Sequence, residues 1–155
     1  TDARIWEDAA ALMRALGKVP VMVKKDVPGF LANRLQHAMM REALYLIDDG
    51  VTDAEGIDTA VRYGFGFRFI ACGPMMQKEM SGWDTNYLVG EALFPHLHTE
   101  QKPPASLKAM VDKGRTGMKA KAGMWDWDDE KIKKEKARIE KALQSGFAIL
   151  RADND

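Results

Sequence analysis

The chain has one segment that reads as a β-strand, and this limits the folds open to it more than any other feature. The segment, Val19–Val23, is a short β-branched run between Gly17 and the charged Lys24. A helical pattern that ends at Gly17 comes directly before it. One strand cannot satisfy its own backbone donors and acceptors, so it needs neighbours that the rest of the sequence lacks. The sequence therefore predicts a mainly α fold, in which residues 1–25 are the last helix and strand of a sheet domain whose other strands are absent.

A long helix is predicted from Phe30 to Asp48. It follows a turn at Val27-Pro28-Gly29, where proline fixes φ and glycine permits a positive φ. Gly50 is the residue type that commonly ends a helix. The helix is apolar on more than one side, which is typical of the central helix of a bundle. The apolar residues are Leu31, Leu35, Ala38, Met39, Ala43, Leu44, Leu46 and Ile47.

Start and stop signals predict further helices downstream. A capping box at Thr52-x-x-Glu55 starts a helix that ends near Gly64. Pro74 suits the first turn of a helix over 74–81, and Asp84 or Thr85 can cap the next helix, which Pro95 ends. The remaining predictions are a short helix from Ser106 to Lys113, an irregular stretch from Gly114 to Gly123 and a final helix from Asp129 to Leu150.

Composition excludes several classes of function. Lys plus Arg is 23 and Asp plus Glu is 23, and zero net charge argues against nucleic acid as the main partner. A single cysteine excludes an intrachain disulfide framework and fits a reducing compartment. No apolar run approaches the roughly 20 residues that span a bilayer. We expect a cytoplasmic protein without a membrane partner. The chain opens at Thr1 rather than at a methionine, which suggests a processed protein or a piece of a longer one.

Few residues indicate a metal, catalytic or cofactor site on their own. His37, His96 and His98 lack metal-ligand spacing, so no metal is expected. The sequence shows no base that would activate the Cys72 thiol, so Cys72 is interpreted as a small packed residue. The segment from Gly64 to Phe69 begins like a dinucleotide fingerprint, but its third glycine and the preceding strand are missing. Taken alone, these residues indicate only a helical domain.

A set of ordered motifs carries a family resemblance. The segment Asp26–Leu35, which reads D-V-P-G-F-L-A-N-R-L, resembles the signature that opens the C-terminal domain of 3-hydroxyacyl-CoA dehydrogenases. Later motifs of the family follow in order, so the resemblance covers about residues 5–127. They are Glu42-Ala43 with Asp49-Gly50-Val51, Asp53–Asp58, Tyr63–Gly66 with Gly73-Pro74, Ser81–Thr85, and Gly117-Met118-Lys119 with Gly123-Met124-Trp125.

The resemblance implies the fold, the domain boundary and the cofactor. Residues 1–25 would be the remnant of an N-terminal NAD-binding Rossmann domain. Residues 26–155 would be an all-α substrate and dimerisation domain of the 6-phosphogluconate dehydrogenase C-terminal-like type, acting as a homodimer. In that family the N-terminal domain binds NAD and carries the catalytic His–Glu pair. We therefore expect this chain to be the C-terminal half of an NAD-dependent dehydrogenase, inactive by itself.

Two residues are predicted to contact the small-molecule substrate. Asn33 matches the family's active-site asparagine, whose amide can hydrogen-bond the reacting oxygen. An asparagine near a helix start can also be only a cap. Arg68 stands where the acyl-CoA enzymes have an apolar residue or proline, and its guanidinium suits a carboxylate. A plain surface arginine is the alternative. Ala120 and Lys121 depart from the family's last motif.

Three functions remain open at this point. The first is the C-terminal half of a 3-hydroxyacyl-CoA dehydrogenase. The second is the same half of an enzyme for a free hydroxy acid, as in the L-gulonate and carnitine dehydrogenase branch that the segment Phe65–Arg68 resembles. The third is a non-enzymatic helical dimerisation module.

Overall fold

The structure, a computed structural model, describes residues 2–152, and seven α-helices account for most of them. The mainly α prediction is confirmed. Short 3₁₀ segments occur at Gly66–Ile70, Phe94–His96 and Met118–Ala120, and a π-helical turn occurs at Ala60–Phe65. The helices are α1 (Ala3–Ala15), α2 (Ala32–Asp48), α3 (Ala54–Thr59), α4 (Pro74–Ser81), α5 (Trp83–Leu93), α6 (Ala105–Asp112) and α7 (Asp129–Ala152).

The structure differs from the sequence prediction at Val19–Val23, which does not form a strand. Residues 18–23 link α1 to the turn before α2 without regular secondary structure. A β-strand exists only as a hydrogen-bonded partner of another strand, and no second strand occurs in residues 2–152. The preceding helix does form as predicted. It ends before Gly17, whose φ of 70° is the left-handed value typical of a helix stop.

Local signals predicted most helix starts, but the capping residues differ. The helix α4 begins at Pro74 and ends at Ser81, as expected. Helix α3 is capped by Asp53 rather than Thr52, because the Asp53 carboxylate accepts the Gly56 N–H at 2.8 Å. A carboxylate at this position also complements the positive end of the helix. Helix α5 begins directly after Gly82, and Asp84 lies in its first turn instead of capping it.

The described residues fall into two compact units, one up to Met39 and the other from Met40. Helix α2 contributes its first turns to the first unit and its remainder to the second. In the first unit Ala10 of α1 is buried. In the second unit, α7 lies against the 3₁₀ segment Gly66–Ile70, where the Ile70 side chain approaches Gly146.

Apolar surface is widely exposed in the second unit. Among residues 40–152, no large apolar side chain is fully buried. The exposed side chains include Met75, Met76 and Met80 of α4, and Leu143 and Phe147 of α7. Uncovered apolar surface on this scale marks an interaction site. None of the helices in residues 2–152 is long and apolar enough to cross a bilayer.

Candidate functional site

The start of α2 is shaped by a tight turn in the Asp26–Leu35 segment. The Phe30 N–H donates to the Val27 carbonyl at 2.9 Å, and Gly29 and Phe30 both have positive φ, 81° and 49°. The Arg34 guanidinium donates to the Pro28 carbonyl at 3.3 Å and so ties the turn to the first turn of the helix. Arg34 therefore stabilises this turn through a backbone carbonyl.

Asn33 is the second residue of α2, and its side chain is exposed. Among residues 2–152, its amide group makes no hydrogen bond to protein, so it does not cap the helix. Its backbone carbonyl lies 2.9 Å from Nδ1 of His37, one turn further along. The Asn33 amide therefore keeps both its N–H donors and its carbonyl oxygen available to a ligand.

Arg68 follows a distorted helical segment in the second unit. The π-helical turn at Ala60–Phe65 contains Gly64, whose φ of −94° and ψ of −114° are not helical. The 3₁₀ segment that carries Arg68 begins at the next glycine, Gly66. π-helical turns often occur at functional sites. The Arg68 guanidinium is exposed and has neither an ion pair nor a hydrogen bond within the described part of the chain.

Gly66 permits the close approach that joins these two turns. Its φ of −69° suits any residue, but a Cβ there would lie 2.7 Å from the Val61 carbonyl oxygen and 2.9 Å from Val61 Cγ1. We expect Gly66→Ala to lower the free energy of unfolding by about 1–3 kcal/mol, because Val61 or the Arg68 segment must move. Chemical denaturation measures this loss.

The matched control is Gly146→Ala, in which the new Cβ would lie at an ordinary 3.8 Å from Ile70 Cδ1. Alanine is a better helix former than glycine, so this variant should be as stable as the parent or more stable. Equal destabilisation by both alanines would show that the Gly66–Val61 contact does not limit the fold.

The two predicted substrate residues lie in different units, Asn33 in the first and Arg68 in the second. Both share the property that a ligand-binding side chain needs, since each polar group is exposed and uses none of its hydrogen-bonding capacity on the described protein.

Sequence reasoning missed the order in the segment from Gly114 to Asp128. The sequence predicts an irregular stretch from Gly114 to Gly123, but Ala122 forms antiparallel bridges with Gly117 and with Asp126. The Arg115 guanidinium donates to the Gly123 carbonyl at 2.6 Å and to the Asp126 carboxylate at 2.9 Å. The sequence signal for this order was Arg115, which lies between Gly114 and Gly117 and precedes Asp126.

The described residues were compared with the usual patterns of metal and dinucleotide sites. Residues 2–152 contain no group of three or more His, Cys, Asp or Glu side chains placed to hold a metal ion. A dinucleotide cradle uses a glycine loop between a strand and a helix. Gly64 and Gly66 instead lie in π-helical and 3₁₀ turns that follow a helix.

Sequence comparison assigns this helical domain to a protein family. The sequence model described as 3-hydroxyacyl-CoA dehydrogenase, C-terminal domain, matches residues 29–127. The match begins in the turn before α2 and ends within the segment from Gly114 to Asp128, so it includes Asn33 and Arg68. The chain is thus a helical C-terminal domain of the dehydrogenase type. It belongs to the 3-hydroxyacyl-CoA dehydrogenase family.

Individual relatives are oxidoreductases that act on small molecules. A 5-formyl-3-hydroxy-2-methylpyridine 4-carboxylate 5-dehydrogenase from Mesorhizobium japonicum is 35% identical over 139 residues, which is 90% of this chain and 45% of that protein. An L-carnitine dehydrogenase from Burkholderia mallei is 39% identical over 99 residues, 64% of this chain and 29% of that protein.

A solved structure resembles the fold closely. It is a 5-formyl-3-hydroxy-2-methylpyridine 4-carboxylic acid 5-dehydrogenase, described as an NAD⁺-dependent dismutase. The TM-score is 0.93 at 32% identity, over 97% of this chain and 49% of that one. The chain therefore spans about half the length of this solved relative.

Proposed function

We propose that this chain is the substrate-binding and dimerisation half of an NAD-dependent dehydrogenase whose substrate is a free hydroxy acid. The observation that carries the substrate class is Arg68, an exposed guanidinium that has no ion pair or hydrogen bond within residues 2–152. A guanidinium pairs with a carboxylate through two parallel hydrogen bonds, so an unpaired one suits an acidic substrate. The substrate named for the Mesorhizobium japonicum relative is a pyridine 4-carboxylate, which supports an acidic substrate.

Asn33 would act on the reacting end of the substrate. Its amide N–H can donate to the oxygen of the alcohol or ketone and hold that oxygen in position. The side chain needs no rearrangement, because it has no hydrogen bond to give up in the described protein. The nicotinamide cofactor and the general base are expected from chain outside residues 1–155.

Arg68→Ala tests the substrate class in the full-length protein. We expect the Michaelis constant for a free hydroxy acid to rise about tenfold to 100-fold, because a charged hydrogen-bonded partner is lost. The constant for an uncharged analogue should change little. Steady-state kinetics on both substrates measure the difference.

Arg62→Ala is the matched control, since Arg62 lies on the preceding π-helical turn with its guanidinium 5.4 Å from the centre of the Tyr63 ring. It should affect both substrates alike. Arg68→Lys keeps the charge but loses the two-pronged geometry and should fall between the parent and Arg68→Ala. Equal effects of Arg68→Ala on the charged and uncharged substrates would argue against the carboxylate role.

A second candidate substrate is a 3-hydroxyacyl-CoA thioester, which the name of the matching family favours. In that case Arg68→Ala should not discriminate between charged and uncharged small substrates. A third candidate is a helical module without enzymatic activity. The coding sequence upstream of Thr1 separates it from both dehydrogenases, because only they require an in-frame glycine fingerprint of the G-x-G-x-x-G type.

The dimerisation role rests on the apolar face of α7. A shallow groove along this helix is lined by apolar side chains together with the stems of polar ones. Leu143 and Phe147 are 57% and 59% exposed. A second copy of the chain, related by a two-fold axis, would bring the same face of its own α7 to this surface. The lining residues are Lys136, Ile139, Glu140, Leu143, Gln144 and Phe147.

A further inference from the structure

His98 connects a loop to the C-terminal half of α2. The loop follows the 3₁₀ segment Phe94–His96, and the His98 ring stacks on Tyr45 of α2 with ring centres 4.6 Å apart and planes at 17°. Nε2 of His98 lies 3.2 Å from the Asp49 carboxylate, and Nδ1 lies 3.4 Å from the Glu100 carboxylate. The ring is thus held between two acids, and its side chain is only 21% exposed.

Backbone groups of the same loop are tied to the same helix. The His98 N–H donates to the Glu42 carboxylate at 2.9 Å. The Arg41 guanidinium donates to the Glu100 carbonyl at 3.4 Å, and the Tyr45 hydroxyl donates to the Lys102 carbonyl at 3.2 Å. These contacts are polar and join residues that are more than 50 positions apart in sequence.

The protonation state of the ring decides how many of these contacts can form together. A neutral imidazole carries one N–H, so one of its nitrogens faces a carboxylate with a lone pair. An imidazolium carries two N–H groups and can donate to Asp49 and Glu100 at the same time. We propose that His98 is a proton-dependent clasp that holds the loop Leu97–Lys102 on α2.

Acidic groups outnumber basic ones around the His98 ring and the adjoining Tyr45. The carboxylates of Asp49, which directly follows α2, and of Glu100 on the loop lie against the ring, and Glu42 of α2 accepts the His98 backbone N–H. Asp48 and Arg41 of α2 act on the adjoining Tyr45, which Lys102 meets through its backbone carbonyl. The pKa of Glu100 is lowered, chiefly by a hydrogen bond from its own backbone N–H and also by His98. Glu100 therefore stays anionic where the clasp would close.

Hydrogen exchange in the full-length protein tests the clasp independently of any activity. Histidine changes charge between about pH 5 and pH 8. Amides of Leu97–Lys102 should open about threefold to tenfold more often at pH 8 than at pH 5.5, after correction for the intrinsic exchange rate. The modest size follows from the exposure of Asp49 and Glu100, which water screens.

Variants separate His98 from other titrating groups. His98→Gln should abolish the pH dependence, whereas His96→Gln, two positions earlier, should keep it. Asp49→Asn and Glu100→Gln leave the ring in place and should each reduce the dependence, which guards against misfolding of His98→Gln. The clasp is overturned if the loop shows no pH dependence, if His98→Gln retains it, or if both carboxylate variants leave it unchanged.

Discussion

Asn33→Ala should lower kcat/KM of the full-length protein by about 100-fold to 1,000-fold, the usual effect of removing one donor to a reacting oxygen. The loss should appear mainly in kcat, because the Asn33 amide is proposed to act most strongly on the charge that develops during reaction. Steady-state kinetics with the preferred hydroxy acid measure the effect.

The same variant should leave the fold intact. Among residues 2–152 the Asn33 amide makes no hydrogen bond, and alanine is the better helix former. Its melting temperature should therefore match the parent's or exceed it slightly. Gln36→Ala, one turn along α2, is the matched amide truncation and should keep its activity. A folded Asn33→Ala variant that keeps full activity would contradict the proposed role.

Leu143→Asp should weaken self-association of the full-length protein by about 30-fold to 1,000-fold, the range that corresponds to a central interface residue. Leu143 lies in the middle of the exposed apolar face of α7, and the new carboxylate would have to be desolvated against the second copy. Sedimentation at micromolar concentration should show a dimer for the parent and a monomer for the variant.

Ser145→Asp introduces the same charge on the opposite side of α7, where the Ser145 hydroxyl donates to the Lys141 carbonyl of its own helix. This control should remain dimeric. A parent protein that sediments as a monomer would contradict the dimerisation role. If instead Leu143→Asp stays dimeric with unchanged affinity, the interface lies on another surface.

Much of the fold could be predicted because its signals are local. Pro74 opens α4, Gly50 follows the end of α2, and Gly17 follows α1, and each effect depends on backbone dihedrals or on a missing N–H. The strand at Val19–Val23 could not be decided locally, because a strand exists only with a neighbour. The β propensity of that segment is real, but residues 2–152 contain no sheet to use it.

The candidate site, like the fold, could be predicted from the sequence only in part. Asn33 and Arg68 were found by motif, and the structure adds that both polar groups are exposed and unpaired in the described protein. The environment of His98 could not be predicted, since its partners Glu42, Tyr45 and Asp49 lie far away in sequence. Helical periodicity reports which side of a helix is apolar, but it does not report which distant loop a carboxylate will meet.

The bridged segment from Gly114 to Asp128 has a consequence for folding kinetics. Its hydrogen bonds all join near neighbours in sequence, such as Gly117 with Ala122, Arg115 with Gly123 and Lys121 with Trp127. Contacts that close short loops carry a small entropic barrier and form within microseconds. This segment can therefore reach its final shape while the long-range contacts of α2 are still unmade. The end of the region that matches the family, residues 29–127, would then be among the first parts of the chain to fold.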